Sequence, residues 1–415
     1  MMYGPDTKVA VGPYVHRDEG DTVTIGDIDR EVYLSIPPPA FELLEWLKSG
    51  DTVAEAVRRF EAKFNETPEV EDFLAALAAE GFITPASHTP PTDETPPTGA
   101  APAPRRARKT HFDRLTPTVA RRIFGRPFVI VCGLIVAVGI TLVAIDPGVM
   151  PGPNGLRFEE NFAAMTWLTF LIALVGVYVH EVAHVIAARA AGSPARIEIS
   201  NRMYVPVAQT DMTGIWMADK SQRYLGFLAG PIIDAASLSI IIVFLWLERR
   251  GDIALSSTAL MLLRGVGFTY LARLIWQTLL FWRTDFYYSI ATLLGCKNLM
   301  IDTENYLRNL VARVRRRALP IDQSDVPSRE MRSVRVYSFL YVGGRVVAVW
   351  ALVTITFPLM WFYLTQSATY LTGDNPGFGL LDFTSAIVLG IGLNLLGLVL
   401  WGRNLYRAWS RRRAS

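Results

Sequence analysis

The stretch FAAMTWLTFLIALVGVYVHEVAH occupies residues 162–184, and its reading decides how the rest of the chain is understood. Phe162 to Val179 carry no charge, which suits a helix crossing a bilayer core of about 30 Å. Three ionisable groups follow at once: His180, Glu181 and His184. Positions i and i+4 share one face of a helix, so the two imidazoles can converge on one zinc ion, with Glu181 placed to take a proton from a nucleophilic water. Ionisable groups are costly within a span, and three together point to chemistry. The chemistry implied is peptide hydrolysis. The plain alternative is a structural histidine pair in a buried helix, but with five histidines in the whole chain a chance HExxH is rare.

Composition points the same way. Hydrophobic residues make up 51% of the 415 and charged ones only 19%, with ten tryptophans and a mean hydropathy of +0.27. A soluble chain of this length is seldom so apolar. Six stretches are long enough to cross a bilayer: 127–145, 162–188, 224–247, 253–282, 336–364 and 383–401. The expected fold class is therefore mostly α, a polytopic membrane protein with about six transmembrane helices.

Lysine and arginine set the expected orientation. Arg105, Arg106, Arg108, Lys109, Arg114, Arg121, Arg122 and Arg126 precede the first span. Arg313, Arg315, Arg316, Arg317, Arg329, Arg332 and Arg335 lie between the fourth and fifth, and Arg411, Arg412 and Arg413 in the tail. With six crossings all three groups fall on one side, opposite loops that carry only Arg157, Arg249 and Arg250. The expected location is the cell membrane, multi-pass, with both termini cytoplasmic and HEVAH toward the cytoplasmic end of the second span. No cleavable signal peptide is read in the first 80 residues. Cys132 and Cys296 form no disulfide framework or thiolate cluster and read as packing residues.

A small α+β, winged-helix-like soluble domain is expected over 14–84. Alternation in 22–25 and 32–36 predicts a strand pair around a turn at Asp27 to Arg30. Three helical patterns follow, carried by Phe41, Leu44 and Leu47, by Val53, Val57 and Phe60 behind a Thr52–Glu55 capping box, and by Val70, Phe73, Leu74 and Leu77 after Pro68. Residues 1–90 hold seventeen acidic and seven basic side chains, which disfavours nucleic acid. A peptide partner fits better, because strand addition and groove binding need edges and apolar surface rather than positive charge. The alternative is a folded appendage without a ligand. The segments VYLSI, PPAFELLEWL, DTVAEAV and FLAALAAEGFI make this region resemble the PqqD-like peptide-recognition domains, which implies capture of a leader peptide along the wing strand.

Residues 85–126 form a proline-rich linker and basic juxtamembrane arm, a semi-extended tether that touches the lipid bilayer. A membrane core is expected over 127–296, a basic cytoplasmic loop over 297–335, and two further spans with a basic tail over 336–415.

Catalytic zinc needs a third protein ligand and an open position. His16, His88 and His111 precede the membrane, while Asp211 and Asp219 lie in the loop after HEVAH, where 194–218 reads as strands and turns, either a strand pair whose edge binds extended substrate or a plain cytoplasmic hairpin. Asp234 stands within the third span, with Arg264 as its expected partner or with a role in supporting the site or as the metal ligand itself. Asp285 is favoured by depth, because it is read as ending the fourth span at the level of the two histidines. Here the chain resembles the site-2 protease family of intramembrane zinc metalloproteases. HEVAH matches their HExxH, and TDFYY looks like their aspartate-glycine-tyrosine-tyrosine element, with Phe286 in place of the glycine. Gln277, ahead of Leu279 and Leu280, stands where the family has an asparagine-proline pair, and is a possible positioning residue. The resemblance implies zinc held by His180, His184 and Asp285, with Glu181 as general base.

The expected function is a membrane-embedded zinc metalloendopeptidase acting on peptide or membrane-protein substrates, within the maturation of a ribosomally made peptide. A different class stays open, a non-proteolytic peptide export or immunity accessory that binds metal and peptide.

Overall fold

A computed structural model describes residues 4–406 except 21, 28–31, 86–111, 113, 159, 203–204, 297, 319, 324–325, 327, 374–377, 393–398, 400–401 and 404–405. The chain divides into two compact units: residues 1–110 with Thr213–Ala218, and the remainder.

In the first unit, β2 (Val15–Asp18), β3 (Val23–Asp27) and β4 (Val32–Ile36) form an antiparallel sheet with β3 in the centre. The register sets Val23 opposite Ile36 and Ile25 opposite Leu34, and Val23, Ile25 and Ile36 are buried. The strand pair expected from alternation is present, while the intervening turn lies outside the described residues. Helices α1 (Pro38–Lys48), α2 (Val53–Phe64) and α3 (Val70–Ala79) cover the sheet through Leu43, Leu44, Leu47, Phe60, Leu74 and Leu77. The capping box forms: the Thr52 N–H donates to Glu55 Oε2 at 2.9 Å and the Glu55 N–H to Thr52 Oγ1 at 3.3 Å. Helix α2 stops at Asn65, whose φ of 55° is left-handed. A second strand pair, β1 (Val9–Val11) with β5 (Ile83–Pro85), closes the unit and begins it before residue 14.

The second unit is helical. Helices α4 (Pro117–Ile123) and α5 (Arg126–Ile145) are followed by α6 (Phe162–Ala190). An antiparallel hairpin, β6 (Arg196–Arg202) and β7 (Val205–Asp211), leads to α7 (Lys220–Arg250) and α8 (Ser257–Gln277). Then come α9 (Asp285–Leu294), α10 (Leu299–Val314), α11 (Ser328–Ala351) and α12 (Phe357–Thr372), the last two joined through a π-helical turn at Leu352–Thr356. A short helix, α13 (Leu380–Ser385), runs on to Gly392 in π geometry.

Among the described residues, five helical stretches are long and apolar enough to cross a membrane: Pro117–Ile145, Phe162–Ala190, Lys220–Arg250, Ser257–Gln277 and Glu330–Thr372. They carry outward-facing apolar side chains such as Leu134, Val175 and Trp361, more than 60% exposed. Of the sixth expected span, only its helical start to Gly392 and scattered later positions fall among the described residues.

Three expectations need correction. The fourth long helix ends at Gln277 rather than 282. Asp285 therefore does not end it but opens α9, where Thr284 caps the new helix by accepting from the Tyr287 N–H at 3.3 Å. The segment 297–335 is not simply a basic loop. Much of it is helix α10, whose buried Leu299 and Met300 share a core with Val334 and Tyr337 of α11.

Candidate metal centre

Helix α6 sets His180 and His184 one turn apart, both buried, with their Nε2 atoms 3.2 Å from each other. Asp285 Oδ2 lies 3.3 Å from His180 Nε2 and 3.4 Å from His184 Nε2. The three donor atoms thus form a nearly equilateral triangle. For zinc with ligands at about 2.0–2.1 Å, one edge of a tetrahedron is about 1.63 times the bond length, or about 3.3 Å. The triangle matches one face of such a site.

The opposite ring atoms fix the tautomers. His184 Nδ1 lies 2.7 Å from the Gly226 carbonyl, which can only accept, so Nδ1 carries the proton. His180 Nδ1 lies 2.8 Å from Asp234 Oδ2 and donates to it. With Nδ1 engaged in each ring, both Nε2 atoms face each other and the Asp285 carboxylate, and in the neutral form of each ring that nitrogen presents a lone pair. A single proton can serve one edge of that triangle, whereas a cation in its middle serves all three corners. These residues accordingly could hold a metal ion.

Asp234 is fully buried and is held by Arg273 of α8, whose Nη2 donates to Oδ1 at 2.8 Å and Nε to Oδ2 at 3.1 Å. Arg264, the partner expected from sequence, is not at this aspartate. Arg264 and Arg273 are nine residues apart, which at about 100° per residue places them on opposite faces of α8. Arg273 also lies over the Tyr270 ring, 4.3 Å from its centroid.

Asp285 is gripped by Gln277 across the turn between α8 and α9. Gln277 Nε2 donates to Asp285 Oδ2 at 2.8 Å, and the Asp285 N–H returns to Gln277 Oε1 at 3.0 Å. Thr284 Oγ1 donates to the Gln277 carbonyl at 3.0 Å. Two consecutive residues are thus tied to one glutamine, which fixes where the carboxylate points.

Glu181, buried beside the two histidines, accepts from Thr210 Oγ1 of β7 at 2.7 Å through Oε2. The same hydroxyl lies 3.1 Å from the Glu181 carbonyl, so the hairpin is pinned to the HEVAH turn. On the other side α7 approaches through Gly230. A methyl group there would stand 2.3 Å from His180 Nε2, so only glycine lets the α7 backbone come so near the imidazole.

The structure brings His180, Glu181, His184, Asp234, Gln277 and Asp285 together. Among the rejected ligand candidates, Asp211 pairs with Arg196, Asp219 caps α7, and His16 packs on Phe41 in the first unit. His88 and His111 lie outside the described residues. Sequence reasoning missed Arg273, Thr210, Gly226 and Gly230. The first had a usable signal, a second charge in an apolar helix able to match Asp234, and Gly230 stands just before the helix-interior Pro231. Thr210 had none.

No protein-family model matches the chain, and neither a curated protein nor a solved structure matches it.

Proposed function

We propose that the protein is an integral membrane zinc metalloendopeptidase that cleaves peptide or membrane-anchored segments. The observation that carries the reading is the triangle of bare donor atoms beside Glu181, set among helices apolar enough for a bilayer. Zinc bound by His180, His184 and Asp285 would supply Lewis acidity, easing deprotonation of water near neutral pH and polarising the scissile carbonyl.

The remaining work falls to the chain's own groups. Glu181 takes a proton from the attacking water and later delivers it to the leaving amine. Thr210 occupies Glu181 Oε2 and leaves Oε1 for that transfer. Asp234 keeps His180 in the tautomer that exposes Nε2, Arg273 holds the Asp234 carboxylate in place, and Gln277 orients Asp285. The N-terminal sheet offers edge strands for a peptide, and in this proposal that domain delivers a leader-bearing substrate in the maturation of a ribosomally made peptide. The charge distribution supports both termini in the cytoplasm.

The test is Glu181→Gln in the full-length, detergent-purified chain, with metal content and peptide cleavage measured by mass spectrometry against a peptide library. Zinc should remain near the wild-type amount while hydrolysis is lost, and His180→Ala should lose both. Full activity in the Gln variant would remove Glu181 as the base. Wild-type protein that keeps zinc and peptide without cleaving would turn the reading to the export or immunity accessory.

A further inference from the structure

At the opposite end of the same helices lies a cavity of about 420 Å³, lined among others by Arg157, Phe158, Leu245, Glu248, Arg249 and Arg264. Glu248 follows Asp234 by fourteen residues along α7, about 21 Å at 1.5 Å per residue, so the cavity is remote from the metal centre. It sits where α7 finishes, α8 begins and the segment before α6 passes by.

Its charges are not equally engaged. Arg249 is paired with Asp146 at 2.6 Å. Arg157 and Arg264 have no ion pair among the described residues, and neither does Glu248. Beneath them the wall is apolar, with Phe158 and Leu245 buried. Two guanidinium groups without counterions, a carboxylate without one, and an adjoining apolar wall are complementary to a phosphate ester that also carries an ammonium group and an acyl chain. A bare phosphate would satisfy the arginines and leave Glu248 repelling it.

We propose that this cavity binds the headgroup of an aminophospholipid of the phosphatidylethanolamine type, with Arg157 and Arg264 on the phosphate and Glu248 on the ammonium. The inference rests on the membrane reading above, because it places the cavity at headgroup level where the apolar helices end. The ligand then lies in the leaflet away from the metal centre, and its acyl chains run down the exposed apolar helix surfaces. Cavities of a few hundred cubic ångströms are of the size that holds such a group.

The experiment titrates the full-length chain in detergent with dioctanoyl phosphatidylethanolamine, the phosphatidylglycerol and phosphatidylcholine analogues, and inorganic phosphate, read by native mass spectrometry. One phosphatidylethanolamine should bind per chain. Because each charge-assisted contact is worth about a tenfold change or more, Arg157→Gln with Arg264→Gln should weaken it by about a hundredfold. Glu248→Gln should erase the preference over phosphatidylglycerol, and Arg250→Gln, at the same helix end but outside the lining, should leave binding unchanged. Inorganic phosphate binding as well as the lipid would overturn the headgroup in favour of a free anion, and insensitivity to the double substitution would overturn the site. Recovery of the chain from cells in the soluble fraction without detergent is a separate result that would instead sink the membrane reading.

Discussion

Replacing Asp234 with alanine separates the two jobs that the proposed function gives to the two aspartates near the histidines. The substitution removes the acceptor of the His180 Nδ1–H, 2.8 Å away, but no member of the donor triangle. Losing such an orienting partner typically weakens metal binding about 10 to 100-fold, or about 1.4–2.8 kcal/mol. Asp285→Ala deletes a corner of the triangle and should weaken zinc by several orders of magnitude, enough to lose it during purification. The same Asp234→Ala change strands the Arg273 guanidinium, whose side chain is only 19% exposed. Breaking a buried pair from one side costs about 3–5 kcal/mol, and partial exposure puts this one at the lower end. Adding Arg273→Met should recover most of the lost stability, since the thioether can pack on Tyr270, while zinc affinity stays where Asp234→Ala left it. Zinc affinity by competition with a chromogenic chelator and thermal unfolding in detergent give the two readouts. If Asp234→Ala released zinc while Asp285→Ala retained it, the ligand set would have to be redrawn around Asp234. If the double substitution restored affinity along with stability, the tautomer argument would fail.

Gly230→Ala should abolish stoichiometric zinc binding while circular dichroism stays helical, because the added methyl meets His180 and not a flexible chain end; a normal zinc content would show that α7 stands farther off. Thr210→Val should lower kcat by roughly tenfold with zinc content unchanged, as Glu181 loses the Thr210 hydroxyl as a donor; unchanged kinetics would detach the hairpin from catalysis. Residues 1–90 expressed alone should fold, since the buried cluster of the first unit lies between Val9 and Ile83, and should bind a leader-type peptide but not DNA in amide-shift titrations. In that fragment the Thr52 cap holds Glu55 below its ordinary pKa. Its contribution is therefore complete above the ordinary carboxylate value and lost as the pH falls through the lowered one, so urea midpoints should drop less on acidification in Glu55→Gln than in the parent.

Local signals carried well from sequence to structure. The i, i+4 spacing of His180 and His184, the period-2 alternation of 22–25 and 32–36, and the Thr52–Glu55 box all concern residues within a turn or a hairpin of one another. What was misread depended on rotation or on interruption. Hydropathy placed both Arg264 and Arg273 in one long helix but says nothing about which faces α7, and depth alone did not choose between them. The run Leu279, Leu280, Phe281, Trp282 kept the fourth helix apolar past its true end, and no glycine or proline marked the break at Gln277. The stop is made by the Gln277, Thr284 and Asp285 hydrogen bonds, which join residues seven and eight apart and leave no periodic trace. Strands β1 and β5 are three residues each and pair residues as far apart as Val9 and Pro85, too short and too distant for a pattern to announce them.

The donor triangle takes two corners from α6 and the third from a residue 105 positions later in the chain. During synthesis, therefore, HEVAH leaves the ribosome long before anything exists to complete it. A nascent chain that has delivered only α6 holds two imidazoles and no carboxylate, and α7 and α8 must both be in place before Gln277 can present Asp285. On the proposed function, the centre stays silent until the helical core has been assembled, and a truncated product ending before residue 285 carries the motif without its third corner. Biogenesis itself acts as the safety catch.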